Sequence, residues 1–268
     1  MIDDLAKDLL PVHGEGIDPR ELARRDMQKS LPNRFYKQAA IERDGEAFAL
    51  ALDGKRARTP GRTPLAVHDE KLAHALAAEW NAQEKVIDPA TMPLTRIVNS
   101  ALDGVAREME AVAAEVVKYA GSDLVCYRAS DPRSLVAEQA AAWDPVLAWM
   151  RERHGAFFVL SEGVMFVEQT PVALDAVRKA LASSIGESEA APLRLAGLHV
   201  ITTLTGSAML ALAVAQGFMD TAAAWKAAHV DEDFQIRNWG EDLEAAARRE
   251  RRWAEMQAAA ELLREQQT

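Results

Sequence analysis

The sequence predicts an α+β protein, with a small antiparallel β domain at the N-terminal end and a larger, mainly α-helical domain with one short hairpin after it. Short segments of alternating apolar residues, separated by Gly-containing turns, lie before residue 68. Apolar residues at helical spacing dominate the chain after it. We place a flexible N-terminal arm at 1–33, the β-rich domain with its first helix at 34–92, and the helical domain at 93–268.

The composition is that of an acidic folded protein. The 268 residues include 31 Lys and Arg against 41 Asp and Glu, which gives a net charge of −10. This charge argues against a nucleic-acid partner and against a polybasic membrane-surface protein. The N-terminus carries acids where a secretion signal or transit peptide needs bases. We therefore expect a cytoplasmic protein, or one that has already been processed.

Three strands are predicted at Phe35–Glu42, Glu46–Leu52 and Lys55–Thr59. They are separated by Asp-Gly pairs, which favour tight hairpin turns because Gly adopts positive φ without strain. The expected result is a three-stranded meander. Four bases surround the third strand and indicate either a contact with an anion or acidic partner or a solvated sheet edge: Lys55, Arg56, Arg58 and Arg62.

The helical domain is predicted from apolar spacing and helix stop signals. The predicted helices are 69–83, 94–119 and 134–154, and helices resume at Pro171 and continue to the end of the chain. Between them, residues 156–169 lose the helical pattern, and two apolar runs around Ser161-Glu162-Gly163 predict a hairpin.

Residues 195–219 carry no formal charge and are long enough to span a bilayer. However, they have no Trp or Tyr anchors and no cluster of flanking bases. We favour a central buried helix, or two helices joined near Thr205-Gly206, over a membrane segment. A peripheral membrane protein that uses this stretch is the corresponding functional alternative.

No cofactor or nucleotide motif and no metal-binding pair of histidines is present in the sequence. The single cysteine, Cys126, excludes an internal disulfide and a cysteine-based zinc site. Its apolar neighbours predict a buried thiol more readily than a nucleophile. No cofactor is therefore expected.

The segment 231–244 has the most unusual composition. On a helical projection one face carries Ile236, Trp239, Leu243 and Ala247, and we assign it to the core. The opposite face carries Phe234, Arg237, Glu241 and Arg248. An aromatic residue among charges indicates either a binding surface or an ordinary surface with an Arg237–Glu241 ion pair. A metal-free small-molecule enzyme that uses the carboxylates of Glu232, Glu241 and Asp242 is a weaker alternative.

Several motifs together resemble one family, the assembly chaperones of ATP synthase that hold the alpha subunit of its F(1) sector (the Atp-twelve family). The likeness extends over about 34–247. The motifs, in chain order, are Arg34-Phe35-Tyr36-Lys37, Thr59-Pro60-Gly61, Glu79-Trp80, Met92-Pro93-Leu94-Thr95-Arg96, Asn99-Ser100-Ala101, and Asp231-Glu232 with Gln235 and Trp239-Gly240-Glu241.

The resemblance implies a non-enzymatic protein that binds the free alpha subunit, covers the surface that later meets the beta subunit, and releases it on assembly. Because mitochondrial members of the family carry a targeting leader, the resemblance also implies a cytoplasmic bacterial protein, or a mitochondrial matrix protein if the chain is a processed organellar one. It implies that Glu241 is the leading contact residue, with Trp239, Gln235 and Glu232 in support, and that Trp80 is structural. Phe234 and Arg237, from the charged face, complete the predicted partner-binding set.

Overall fold

The computed structural model describes residues 31–163 and 165–264, so most of the predicted arm 1–33 lies outside the described residues. Strands β1 (Ala39–Asp44) and β2 (Ala47–Leu52) form an antiparallel hairpin over their full length. At the next turn Asp53 and Gly54 both have positive φ, 48° and 75°, as a two-residue hairpin turn requires. The two predicted turns therefore form.

Two very short strands complete this sheet, and both pair with β2: β3 (Lys55–Arg56) and β4 (Ala66–Val67). The fourth strand was not predicted, because two residues are too few for an alternating pattern. Arg56 pairs across the sheet with Asp44 at 2.7 Å and with Glu42 at 3.7 Å. This arginine of the predicted basic cluster therefore forms ion pairs within the sheet.

Ten α-helices follow in the described part of the chain. They are α1 (Glu70–Asn81), α2 (Pro93–Asp103), α3 (Met109–Ala120), α4 (Arg133–His154), α5 (Pro171–Ile185), α6 (Ala191–Thr205), α7 (Ala208–Ala215), α8 (Thr221–Ala228), α9 (Val230–Trp239) and α10 (Leu243–Glu261).

The single helix predicted over 94–119 is wrong, because the chain breaks at Gly104 into α2 and α3. The cause is a contact from far away in the sequence. The carboxylate of Asp103 accepts hydrogen bonds from the Thr59 hydroxyl at 2.6 Å and the Gly61 N–H at 2.7 Å. These bonds tie the end of α2 to the loop before β4.

The uncharged run 195–219 forms parts of two buried helices, α6 and α7, joined at Gly206 with φ +68°. The Ser207 hydroxyl accepts the Leu210 N–H and caps α7. This is one of the two arrangements expected from the sequence. No helix in the described ranges is long and apolar enough to cross a membrane.

The hairpin predicted within 156–169 does not form among the described residues of that segment. Instead, β6 (Ser161–Glu162) pairs in parallel with β5 (Tyr127–Arg128). The side-chain amide of Gln169 takes the place of strand pairing. It accepts the Val159 N–H and donates to the Val159 carbonyl, both at 2.9 Å.

The apolar core is continuous from the sheet into the helical bundle. It includes Leu50 in β2, Leu76 in α1, Val98 in α2 and Leu198 in α6, which are almost fully buried. Cys126 is also buried, and its burial raises the pKa of the thiol to about 12. The prediction of an inert, buried cysteine is confirmed.

Candidate partner-binding site

Helix α9 is held against α4 by polar contacts at its N-terminal end. The Gln139 side chain donates to the Asp231 carboxylate at 2.7 Å. The indole N–H of the buried Trp143 donates to the Ala227 carbonyl at 2.7 Å, just before α9 begins. The start of α9 is therefore positioned by contacts with α4 and with the end of α8.

A sharp corner separates α9 from α10. Gly240 ends α9 with φ +91°, and the Asp242 carboxylate caps α10 by accepting the N–H groups of Glu244 and Ala245. At this corner Trp239 is 79% exposed and Leu243 is 85% exposed. The core face predicted for Ile236, Trp239, Leu243 and Ala247 is thus wrong, because the projection assumed one unbroken helix through Gly240. Ala247 is exposed as well, and Ile236 is only half-buried.

The corner borders a groove of about 470 Å³ between α9 and α10. Its walls combine polar and charged groups with the exposed indole ring. The lining includes Glu232, Gln235, Trp239, Glu241, Arg248 and Arg252.

Two ion pairs hold α9 against the neighbouring helices α10 and α4. Asp233 pairs with Arg249 of α10, and both side chains are about three-quarters buried. Arg237 pairs with Glu138 of α4 at 2.5 Å. The Arg237–Glu241 ion pair considered from the sequence is therefore not formed, because α9 ends before Glu241.

The groove carboxylates differ in their surroundings. Glu241 is exposed and has no hydrogen bond or ion pair to another described residue. Glu232 lies 3.8 Å from the ring of buried His229. Burial lowers the pKa of His229, so the ring is neutral near pH 7 and leaves the charge of Glu232 uncompensated. The two backbone N–H groups at Asp242 lower its pKa and keep it ionised.

The alternative function, a metal-free enzyme that acts on a small molecule, would use the carboxylates of this groove as acid and base. A general acid needs a pKa raised towards the working pH, whereas Asp242 is a helix cap with a lowered pKa. Within the described ranges, no group of three or more His, Cys, Asp or Glu could hold a metal ion.

The structure brings together four of the six predicted residues in the groove: Glu232, Gln235, Trp239 and Glu241. Arg237 instead reaches α4, and its guanidinium lies 5.6 Å from the ring centre of Phe234. Leu243 was missed as a surface residue. The Gly240–Asp242 pair, a helix stop followed by a helix cap, was the signal that could have revealed it.

Comparisons with known proteins show which family the chain belongs to. Residues 33–151 match the family model of the ATP12 chaperone protein. The chain is 40% identical to Atp12 from Paracoccus denitrificans, covering 87% of this chain and 97% of that one with a TM-score of 0.77. The chain belongs to the ATP12 chaperone family. A second relative, Atu1473 from Agrobacterium tumefaciens, is 44% identical over 93% of this chain and 91% of its own, with a TM-score of 0.81.

Several of the motifs that carry the family resemblance connect elements of the fold. The Glu79 carboxylate accepts the N–H groups of Leu94 and Thr95, each at 2.8 Å, at the start of α2. Trp80 packs against Tyr36 with ring centres 5.6 Å apart, and its carbonyl accepts the Tyr36 hydroxyl. This structural position of Trp80 is the expected one. These motifs therefore hold the sheet, α1 and α2 together.

Proposed function

We propose that this protein is an assembly chaperone of ATP synthase that binds the free alpha subunit of the F(1) sector. It covers the surface that the beta subunit later occupies, and it acts without turnover. Membership of the ATP12 family supports the chaperone role. The observation that carries the choice of site is the corner at Trp239 and Leu243, which presents two large apolar side chains to solvent beside a charged groove.

The corner has the composition of a binding hot spot. Trp is enriched among residues that contribute most to binding, and it contributes most where the surrounding contacts exclude water from it. Glu241 and Glu232 supply negative charge next to the indole. Neither forms an ion pair with a Lys or Arg among the described residues, although Arg248 and Arg252 line the same groove. A partner with an apolar pocket and a neighbouring Lys or Arg fits this surface.

Release follows from differential affinity. The chaperone and the beta subunit compete for one surface, so the beta subunit displaces the chaperone when its own contacts are more favourable. No bond is made or broken, and the site needs neither a cofactor nor a metal for this role.

The first prediction concerns Glu241. We expect Glu241→Lys to weaken binding of the purified alpha subunit by about tenfold or more, because it places a positive charge against a basic partner surface. Titration calorimetry measures the Kd, and circular dichroism checks that the fold is intact. Glu187→Lys, the same charge change at an exposed position between α5 and α6, is the matched control. Equal affinity of wild type and Glu241→Lys would remove Glu241 from the interface.

The partner itself is tested by affinity capture of the tagged full chain from cell extract at low and high salt. We expect the alpha subunit without the beta subunit, and we expect added beta subunit to release it. Capture of an intact alpha–beta complex would contradict the proposed shielding. A wild-type chain that fails to bind purified alpha subunit would overturn the proposed function as a whole.

A further inference from the structure

The connection from α4 to α5, residues 155–170, exposes an unusual amount of apolar surface. Phe157, Met165 and Phe166 are 65%, 73% and 70% exposed, and Val172 at the start of α5 is 72% exposed. Val159 and Leu160 are exposed to a lesser degree. These residues lie outside the groove at α9 and α10, and nothing in the proposed function so far uses them.

The connection has neither helix nor strand over most of its length, and it leaves some backbone groups without partners. Phe157, Phe158 and Phe166 form no backbone hydrogen bond to another described residue. Other backbone groups are already bonded, those of Val159 to the Gln169 side chain and those of Ser161–Glu162 to β5. A large exposed apolar patch marks a surface that a partner covers, so its exposure calls for an explanation.

The connection is held in this shape before any partner arrives. The Gln169 amide bonds to both backbone groups of Val159, and the Ser161 hydroxyl donates to the Met165 carbonyl at 2.8 Å. Phe158 anchors the connection by packing against the core. A pre-ordered segment loses less conformational entropy on binding than a disordered one does.

The exposed area is of the size that a partner would cover. With ~150–250 Å² for a fully exposed aromatic side chain and less for Met, Val and Leu, the six residues present roughly 600 Å². The largest apolar patch of an ordinary monomer is ~300–600 Å², and each side of a standard interface buries ~800 Å². The patch alone accounts for most of one side of an interface.

Charge distinguishes between two possible partners of this patch, a second copy of this chain and a different polypeptide. Residues 155–170 contain two acids, Glu162 and Glu168, and no Lys or Arg. Both glutamates are exposed and have no ion pair to a described residue. Two copies of the chain, each with a net charge of −10, would bring these like charges together in a symmetric dimer. A different polypeptide, apolar and flanked by bases, complements the patch.

The patch is also connected to the groove site through hydrogen bonds. Gly163 donates to the Arg128 carbonyl at 2.9 Å, and Ala129 donates to the Gln139 side chain at 2.8 Å. The same side chain then donates to Asp231 of α9. These bonds link the connection to the start of α9, the helix that forms one wall of the groove.

We propose that residues 157–163 and 165–168 form a second contact surface for the client, which packs an apolar segment flanked by Lys or Arg against the exposed side chains of this connection. This inference rests on the proposed function, and it names a chemical feature of the client segment. The exposed apolar side chains give this contact its affinity, and the exposed Glu162 and Glu168 select a segment with flanking bases.

The test compares purified full-length variants for binding to the alpha subunit. Met165→Ser combined with Phe166→Ser is expected to weaken the Kd by about tenfold or more without a change in Tm, because both side chains are exposed. Phe35→Ser, at a phenylalanine that is 72% exposed on the β side of the molecule, should stay within about twofold of wild type. Hydrogen exchange should show that amides of 157–160 and 165–168 become protected when the alpha subunit is added.

The outcomes separate this inference from the proposed function. Binding by wild type and by the serine double variant with equal Kd and no added protection would overturn the second surface and leave the proposed function standing. Absence of wild-type binding would overturn both. Sedimentation that shows a wild-type dimer and a monomeric double variant would assign the patch to a second copy of this chain instead.

Discussion

Asp123 is a fully buried carboxylate that joins two elements. Its oxygens accept the Val125 N–H at 3.2 Å and the Met209 N–H at 3.1 Å, and the second bond reaches the start of α7. Burial raises the pKa of this carboxyl from 3.8 to about 6. The folded protein therefore retains this proton at pH values where the unfolded chain has released it.

The contribution of Asp123 to the free energy of unfolding depends on pH. Between about pH 4 and pH 6 the folded state binds more protons than the unfolded state, so the contribution of Asp123 to stability falls as the pH rises, by on the order of 3 kcal/mol in all. Urea unfolding should show wild type gaining stability from pH 7 to pH 5 relative to Asp123→Asn. Asp175→Asn on α5, where Lys179 lowers the pKa of the carboxyl, is the control. It should show the same change in unfolding free energy between pH 7 and pH 5 as wild type. Parallel profiles for wild type and Asp123→Asn would contradict this account.

Asp123→Asn should also lower stability at pH 7, although it removes a buried charge. The new amide group turns an acceptor into a donor that faces a backbone N–H, and a buried group left without a partner costs about 1–3 kcal/mol.

At the scale of elements, α6 and α10 approach closely at one glycine. A Cβ at Gly197 would lie 2.7 Å from the Ala259 carbonyl oxygen and 3.2 Å from Leu262. Backbone cannot move aside as a side-chain tip can, so α10 would have to shift. Close packing of this kind is lost with a single added methyl group.

We therefore expect Gly197→Ala to reduce the free energy of unfolding by about 1–3 kcal/mol, despite the better helix propensity of alanine. Urea denaturation measures this change. Thr203→Ala, at an exposed position of the same helix, should have little effect. A Gly197→Ala protein as stable as wild type would show that the two helices can separate without cost.

The elements that the sequence predicted well are those with local causes. The Asp53-Gly54 turn depends on two adjacent residues, and α4 ends where Gly155 adopts φ +65°. The break of α2 at Gly104 could not be predicted this way, because Thr59 and Gly61 lie more than 40 residues before Asp103. The candidate site was found from an unusual composition, but the exposure of Leu243 depended on treating Gly240 as a helix end.

For the whole molecule, the continuous core suggests that sheet and bundle unfold together. Leu76 of α1, Leu50 of β2 and Val98 of α2 all belong to that core, and α1 contacts both β2 and α2. Native-state hydrogen exchange should give the slowest amides of β2 and of α6 the same opening free energy. A clearly lower value for β2 would mean that the predicted domains, divided after residue 92, unfold separately.

The bond pair between Gln169 and Val159 has a consequence for timing. Because one side chain already occupies the place of a strand neighbour, the α4–α5 connection is arranged during folding and not during the encounter with a client. Association can then proceed at a rate set by diffusion and orientation, without a slow rearrangement step. A chaperone built in this way can capture a client quickly, and the lifetime of the complex is then set by the dissociation rate.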